Sequence, residues 1–302
     1  MTETSGETRC GFIALLGAPN AGKSTLMNTM VGAKVSIVTQ KVQTTRTRIL
    51  GVTALGASQL VFVDTPGIFK PRRRLDRAMV AAAWSGAADA DVVALLIDAG
   101  MRIEGDTRRI IDGLKKNGGR AVCVLNKIDT VPRENLLALI EELRAEELFT
   151  DFFMVSALKG HGIEELKQFL AERLPEGPWH FPEDQLSDMN DRLFSAEITR
   201  EKLFLNLHQE LPYALTVETE TWEPFDNGAV KVEQVIYVER ASQKGIVLGK
   251  AGERIKRVRT LAQEDLQELL GRDVHLFLFV KVRENWGDDP ERYRDWGLDF
   301  ST

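Results

Sequence analysis

Short, nearly uninterrupted apolar runs alternate with longer amphipathic stretches through the first half of the chain. The runs cover residues 11–16, 60–63, 91–97, 121–125 and 152–155. They are rich in Val, Ile, Leu and Phe, and several lack polar alternation, the pattern of strands buried on both faces. Between them, helical periodicity covers residues 24–31, 75–86, 106–117, 133–148 and 162–174. A less distinct strand lies near 48–53. Strand–helix alternation of this kind predicts an α/β fold, a doubly wound and mostly parallel sheet with helices on both faces. Ligands then bind just beyond the carboxyl ends of the strands.

Leu174-Pro175-Glu176-Gly177-Pro178 ends that pattern, because Pro and Gly together stop a helix. A first domain over 1–175, a linker over 176–185 and a second, α+β domain over 186–302 are expected. In the second domain a helix is predicted over 184–207. Strands follow at 214–222 and 230–238, with Asp226-Asn227-Gly228 as the turn between them. A Gly-interrupted segment, 245–252, leads into a helix ending near Leu270, and 274–282 reads as a last strand. The tail starts at Asp288-Asp289-Pro290 like a capped helix and stops at Gly297. The sequence assigns it no function.

The 302 residues suit two ordinary domains, and 43% hydrophobic with 28% charged residues excludes wholesale disorder. Lys and Arg number 39 against 45 Asp and Glu, a net charge of −6. That argues against a surface coated in nucleic acid and leaves room for a local basic site. Cys10 and Cys123 are too few for a disulfide framework and are expected as buried free thiols. His161, His180, His208 and His275 are scattered, with no metal-ligand spacing. Residues 1–9 lack the apolar core of a signal peptide, and every apolar run is far too short to span a bilayer. A soluble cytoplasmic protein is expected.

Candidate chemistry begins at Gly17-Ala18-Pro19-Asn20-Ala21-Gly22-Lys23-Ser24, which fits G-x-x-x-x-G-K-[ST] between a predicted strand and a predicted helix. Such a loop turns backbone N–H groups toward phosphate oxygens, with Thr25 in the first helical turn. The Lys23 ammonium reaches the β- and γ-phosphates, and the Ser24 hydroxyl ligates Mg²⁺. Asp64-Thr65-Pro66-Gly67 follows the strand at 60–63. Asp64 can hold Mg²⁺ through a water, and the Gly67 N–H can meet a γ-phosphate. Asn126-Lys127-Ile128-Asp129 follows the strand at 121–125. Asp129 can accept the N1–H and N2–H₂ edge of guanine, which adenine lacks. Asn126 would tie this loop to the phosphate loop, and the Lys127 stem would cover the base. Ser156-Ala157 can present the Ala157 N–H to guanine O6. Thr44-Thr45-Arg46 reads as a switch loop in which one Thr completes the Mg²⁺ shell, Thr45 being favoured.

These segments occur in the order found in GTPases, so the first 175 residues resemble a translation-factor-class GTPase, and GTP, GDP and Mg²⁺ are implied. Ras-like proteins carry a Gln just after Asp-x-x-Gly. Here Ile68 stands there and cannot orient a water, so slow intrinsic hydrolysis is expected and a non-catalytic RNA-binding scaffold stays open as an alternative. Asn20 matches the Asn with which potassium-activated relatives hold a monovalent cation, which implies K⁺ stimulation; a plain loop role is the other reading. The catalytic set is Asn20, Lys23, Thr45 and Gly67. Lys70-Pro71-Arg72-Arg73-Arg74 is either a solvated loop or a contact for RNA or a partner.

Gly249-Lys250-Ala251-Gly252 fits the G-x-x-G of a KH domain, placed before a helix in the element order of the type II arrangement. Ile246, Val247 and Ile255, with Leu248, would line a groove for bases. Lys244, Lys250, Arg254, Lys256, Arg257 and Arg259 stand against the single acid Glu253, a balance that suits phosphate contacts. A GTPase domain followed by a type II KH domain resembles the Era family over nearly the whole chain. The likeness includes Gln43-Thr44-Thr45-Arg46, Asp64-Thr65-Pro66-Gly67, Arg200-Glu201-Lys202 and Leu211-Pro212-Tyr213. It implies a monomer that binds single-stranded RNA at the 3′ end of 16S rRNA and assists maturation of the 30S subunit from its pre-30S particle. It also implies peripheral association with the inner membrane.

Overall fold

The computed structural model describes residues 8–41, 44–207 and 211–301; Gln43, His208 and residues 1–7 lie outside the described residues. The chain forms two compact units. The first holds residues 8–36, 45–188 and 293–301; the second holds 37–41, 44, 189–207 and 211–292.

The first unit runs β1 (Arg9–Gly17), α1 (Lys23–Val31), β2 (Ile49–Leu55), β3 (Ser58–Asp64), α2 (Arg74–Ala88), β4 (Val92–Asp98) and α3 (Gly105–Lys116). It continues with β5 (Ala121–Asn126), α4 (Arg133–Arg144), β6 (Phe149–Met154) and α5 (Ile163–Glu172). Its six strands lie in the order β2-β3-β1-β4-β5-β6. All pairings are parallel except β2 with β3, a hairpin whose two-residue connection permits only an antiparallel return. Ile13, Leu15, Leu60, Phe62, Leu95 and Val124 are buried. On one face Leu16, Ile68, Ile110, Ile111, Leu125 and Leu143 form a single cluster. Both cysteines are free and buried, and burial pushes the Cys123 thiol far up.

Two boundaries differ from expectation here. Helix α4 ends at Arg144 rather than 148, and β6 begins at Phe149, ahead of the predicted 152. The chain reverses through Glu147, at φ 54°, between them. Residues 176–185 are not a free linker. Gly177 N donates to the Thr8 carbonyl at 2.9 Å and Val52 N to the Leu186 carbonyl at 2.8 Å. The Gln59 side chain accepts the His180 and Phe181 N–H groups and returns a bond to the Phe181 carbonyl at 2.8 Å. The segment is thus stitched along the β2–β3 side, and the unit boundary falls at 188/189. Composition marked the end of α5 but not the polar side chains that anchor the segment after it.

The second unit contains α6 (Asp191–Asn206), β7 (Leu215–Pro224), β8 (Val230–Val238), α7 (Ala241–Leu248), α8 (Glu253–Leu270) and β9 (Val274–Val282). Its sheet has the order β7-β8-β9, antiparallel then parallel. Helix α6 starts at Asp191, seven residues later than the predicted 184, because the Asn190 side chain accepts the Leu193 N–H and caps it. The hairpin turn falls where predicted: Phe225 N donates to the Ala229 carbonyl at 2.8 Å. Leu203, Val217, Ile236, Val247, Val258 and Val280 form its core. A last helix, α9 (Pro290–Asp295), precedes a terminal stretch that packs with the first unit rather than the second, contrary to the expected domain limits.

Candidate functional site

Three side-chain hydroxyls converge on one buried carboxylate oxygen in the first unit. Asp64 Oδ2 accepts from Ser24 Oγ at 2.7 Å, Ser36 Oγ at 2.9 Å and Thr45 Oγ1 at 3.2 Å. Ser24 Oγ and Thr45 Oγ1 are 3.0 Å apart. Asp64 is fully buried, and its Oδ1 has no hydrogen-bond partner among the described residues. Desolvation raises its pKa, opposed by the nearby Lys23 charge. A hard divalent cation suits this set, which offers oxygen donors and an orphaned anionic oxygen. Ser36 was not marked by any motif. Asn28 orients it, its Oδ1 accepting the Ser36 N–H at 2.9 Å and its Nδ2 donating to the Ser36 carbonyl at 2.8 Å.

The loop from Gly17 to Gly22 delivers the chain from β1 into α1, whose first-turn N–H groups have no partner within the helix. Gly22 sits at φ 98°, and a Cβ there would lie 2.2 Å from Asn126 Nδ2. Only glycine fits. Asn20 also has a positive φ, 64°. Lys23 is buried, with Nζ 3.1 Å from the Gly17 carbonyl and 3.2 Å from that of Ala18. Desolvation brings its pKa down to about 8.

Asn126, at the end of β5, ties its own loop to two others. Its Nδ2 donates to the Ala21 carbonyl at 2.8 Å, and its Oδ1 accepts the Ala157 N–H at 3.0 Å. Lys127, at φ 65°, pairs with Asp98 at 2.7 Å. Asp129 is exposed, and a hydrogen bond from Ser156 holds its carboxyl below the usual range. Thr29 Oγ1 donates to the Ala157 carbonyl at 2.8 Å. Gly67 and Ile68 follow Asp64 in turn. Ile68 is buried in the apolar cluster and its N–H donates to the Gly17 carbonyl at 3.2 Å, so its side chain faces no water. Lys70, Arg72, Arg73 and Arg74 are exposed, but the Asp76 carboxylate accepts the Arg72 and Arg73 N–H groups at 3.0 Å each.

The second unit carries the other constellation. Gly249, at φ 74°, ends α7, and a Cβ there would meet Arg254 Cβ at 2.7 Å. Ala251 takes a positive φ, 51°, and Gly252 starts α8. Lys250, Ala251, Lys256 and Arg257 are exposed, while Lys244, Arg254 and Ile255 are half-buried. Ile246 is 50% exposed. Val247 is a correction to the expected groove: it is wholly buried among Leu203, Ile236 and Val280. Neighbours on a helix face different ways, and Val247 takes the core side of α7.

Among the described residues no cluster of His, Cys, Asp and Glu could hold a metal by itself, and no helix is long and apolar enough to cross a membrane.

Residues 12–127 match a family model described as a 50S ribosome-binding GTPase, and residues 210–287 match one described as a KH domain. The chain is 62% identical to the GTPase Era of Rhizobium meliloti over 97% of its own length and 94% of that protein. It is 56% identical to that of Brucella suis over 98% of this chain and 95% of that one. Among solved structures it is similar to a point variant of Aquifex aeolicus Era bound to GDP·AlF₄⁻, at 37% identity and a TM-score of 0.90, covering 96% and 99% of the two chains. It is equally similar, at a TM-score of 0.91 and the same identity and coverage, to Era in complex with MgGDPNP and nucleotides 1506–1542 of 16S ribosomal RNA.

Proposed function

From the premise that this chain belongs to the Era family, and is therefore a GTPase, we propose that it is a switch that clamps single-stranded RNA at the 3′ end of 16S rRNA while GTP is bound, and so assists 30S subunit assembly. The observation that carries the reading is the pairing, in one chain, of the Ser24–Thr45–Asp64 oxygen cluster with the Gly249–Gly252 loop. The solved relative held with MgGDPNP and 16S rRNA nucleotides supports the same pairing of ligands.

In this reading the loop 17–24 and the α1 N-terminus bind the phosphates, and Lys23 leaves its two carbonyl partners for the β- and γ-oxygens. Ser24, Thr45 and Asp64 would hold Mg²⁺, which when bound would supply positive charge to phosphate oxygens. Asp129 selects guanine and Lys127 covers the base, while Asn126 keeps base loop and phosphate loop in register; the Ala157 N–H, expected to meet guanine O6, is instead taken by Asn126 Oδ1. The Gly67 N–H senses the γ-phosphate. Because Ile68 is buried and apolar, this chain supplies no side chain there to orient the attacking water, and intrinsic turnover is slow. Asn20 would hold a monovalent cation, K⁺, which would supply positive charge in the part an arginine side chain plays elsewhere.

In the second unit Ile246 and Ile255 offer the apolar wall, the two glycines let the sugar–phosphate backbone pass, and Lys244, Lys250 and Arg254 meet phosphates around Ala251. The protein is taken as a cytoplasmic monomer meeting the inner membrane only peripherally. Crosslinking to rRNA tests the whole reading. A GTP-analogue form should crosslink near the 3′ end and a GDP form should not; equal crosslinking in both forms overturns it.

A further inference from the structure

The connection from α1 to β2 is divided between the two units: residue 44 packs with the second, and Thr45, the next residue, with the first. Within the second unit that connection is held to α6 by several kinds of contact. Ile37 is buried in an apolar cluster with Ile198, Val230 and Ala262. The Glu201 carboxylate accepts the Val38 N–H at 2.8 Å. Lys41 Nζ donates to the Leu207 carbonyl at 2.6 Å and also to that of Phe204, covering carbonyls at the end of α6. Arg200, 1% exposed, donates through Nη2 to the Thr44 carbonyl at 2.5 Å.

Arg200 is itself fixed. Its Nε donates to Glu197 Oε1 at 2.8 Å, its Nη2 donates to Glu197 Oε2, and its guanidinium lies 5.2 Å from the Phe204 ring centroid. A planar, permanently charged fork held this way has little freedom of its own. The oxygen it holds belongs to the same rigid peptide plane as the Thr45 nitrogen. Fixing that oxygen orients the plane and the N–Cα bond of Thr45, leaving only the φ and side-chain torsions of Thr45 between the plane and its hydroxyl. Thr45 Oγ1 is the hydroxyl 3.2 Å from Asp64 and 3.0 Å from Ser24.

We propose that Arg200 is a positioning residue for Thr45, and that the Glu197–Arg200–Thr44 chain is the link by which the nucleotide and α6 bias one another. This rests on the reading of Thr45 as a ligand of the metal that accompanies GTP. A hydroxyl recruited only in the GTP state contributes to GTP affinity and not to GDP affinity, so Arg200 acts on the difference. Because coupling is reciprocal, the factor by which this contact favours GTP over GDP is the factor by which GTP favours the α6 arrangement that makes it.

The test uses the full chain with Arg200→Met, which keeps length and loses the fork, and Arg200→Lys, which keeps charge alone. A double variant, Glu197→Gln with Arg200→Met, avoids leaving an unpaired carboxylate. Affinities for a fluorescent non-hydrolysable GTP analogue and for GDP are measured with Mg²⁺. Binding of a single-stranded RNA of the 16S 3′ sequence is measured in both states. In the Met and double variants the preference for the analogue over GDP should fall about tenfold, GDP affinity should stay within about twofold, and RNA binding should lose its nucleotide dependence by the same factor. Lys should restore little. Equal weakening of both nucleotides, or an unchanged preference in variants that melt normally, overturns the proposal. Thr45→Ala distinguishes the two levels: if that variant keeps the full preference, the metal role of Thr45 fails, and the link fails with it; if it loses the preference while the Arg200 variants keep it, only the link fails.

Discussion

The Nδ2 of Asn126 lies 2.8 Å from the Ala21 carbonyl, and the same side chain accepts the Ala157 N–H at 3.0 Å. One amide therefore spans three loops that leave the ends of β1, β5 and β6. All the groups involved are buried, so removing the amide leaves a donor and an acceptor without partners. Asn126→Ala should cost about 2–3 kcal/mol of stability, seen as a lower urea midpoint. GTP and GDP affinity should fall together, about tenfold or more, because the link serves the loops and not the γ-phosphate. Gly22→Ala should approach the same phenotype by pushing a Cβ against Nδ2.

Asp129 is held ionised by its hydrogen bond from Ser156 and stands exposed at the mouth of the base loop. An ionised carboxylate accepts both donors of the guanine edge. Asp129→Asn replaces one acceptor by a donor, which opposes guanine and matches the 2-oxo group of xanthine. The variant should prefer xanthosine over guanosine nucleotides by about a hundredfold or more, measured by competition with a fluorescent nucleotide. Guanosine preference retained in the variant would remove Asp129 from base recognition.

Asn20 bears on turnover. It stands at a positive φ, 64°, in the 17–24 loop proposed above to bind the phosphates. If its side-chain oxygen serves a monovalent cation, phosphate release should be several-fold faster in K⁺ than in Na⁺ at equal ionic strength. Asn20→Ala should abolish that difference with GDP affinity nearly unchanged. K⁺ stimulation surviving in the variant assigns Asn20 to loop conformation alone.

Glu146 provides a pH-dependent contrast outside the residues assigned to either site. Its carboxylate accepts from Lys115 and Arg108 at 2.6 Å each and is held below the usual carboxylate range by both, Lys115 first. A depressed folded-state pKa gives stability that is complete above the unfolded value near 4.5. It is lost as pH falls through the lower folded value. Both cations are partly exposed, so the network is worth about 1 kcal/mol. Glu146→Gln should lower the melting temperature at pH 7, and the difference from the parent should shrink as pH falls below the unfolded value and close once it passes the lowered folded value.

Much of both units was legible because the chemistry recurs at strand ends. Strands β8 and β9 and the turn at Asp226–Gly228 fall where alternation and turn residues predict them. Ser24 and Asp64 meet because the parallel strands β1 and β3 deliver their carboxyl ends to one edge, and Thr45 joins them from the segment just before the amino end of β2, the antiparallel neighbour of β3. Ser36 was not legible: it lies in a stretch without periodicity, and only the Asn28 amide, eight residues away, brings it to Asp64. The stitching of 176–188 was equally hidden, since it depends on Gln59, an ordinary polar residue in a strand. The assignment of Val247 failed for a related reason. A Gly-interrupted apolar stretch does not reveal which of its residues face inward until the helix exists.

Ile246 and Val247 separate the two fates of that stretch. Val247 is wholly buried among Leu203, Ile236 and Val280, so Val247→Ala opens a cavity and should cost about 2 kcal/mol. Ile246 is 50% exposed at the end of α7, beside the Gly249 turn. Ile246→Ala removes few packing contacts and should change stability by less than about 0.5 kcal/mol. If Ile246 forms the apolar wall for bases, the same substitution should weaken binding of a single-stranded RNA about tenfold, because a base then loses apolar contact surface. Its salt dependence should stay as in the parent, since no phosphate contact is lost. Lys250→Ala should do the reverse and reduce the salt slope. RNA affinity unchanged in Ile246→Ala, measured by fluorescence anisotropy in the GTP-analogue state, would place the bases elsewhere on the second unit.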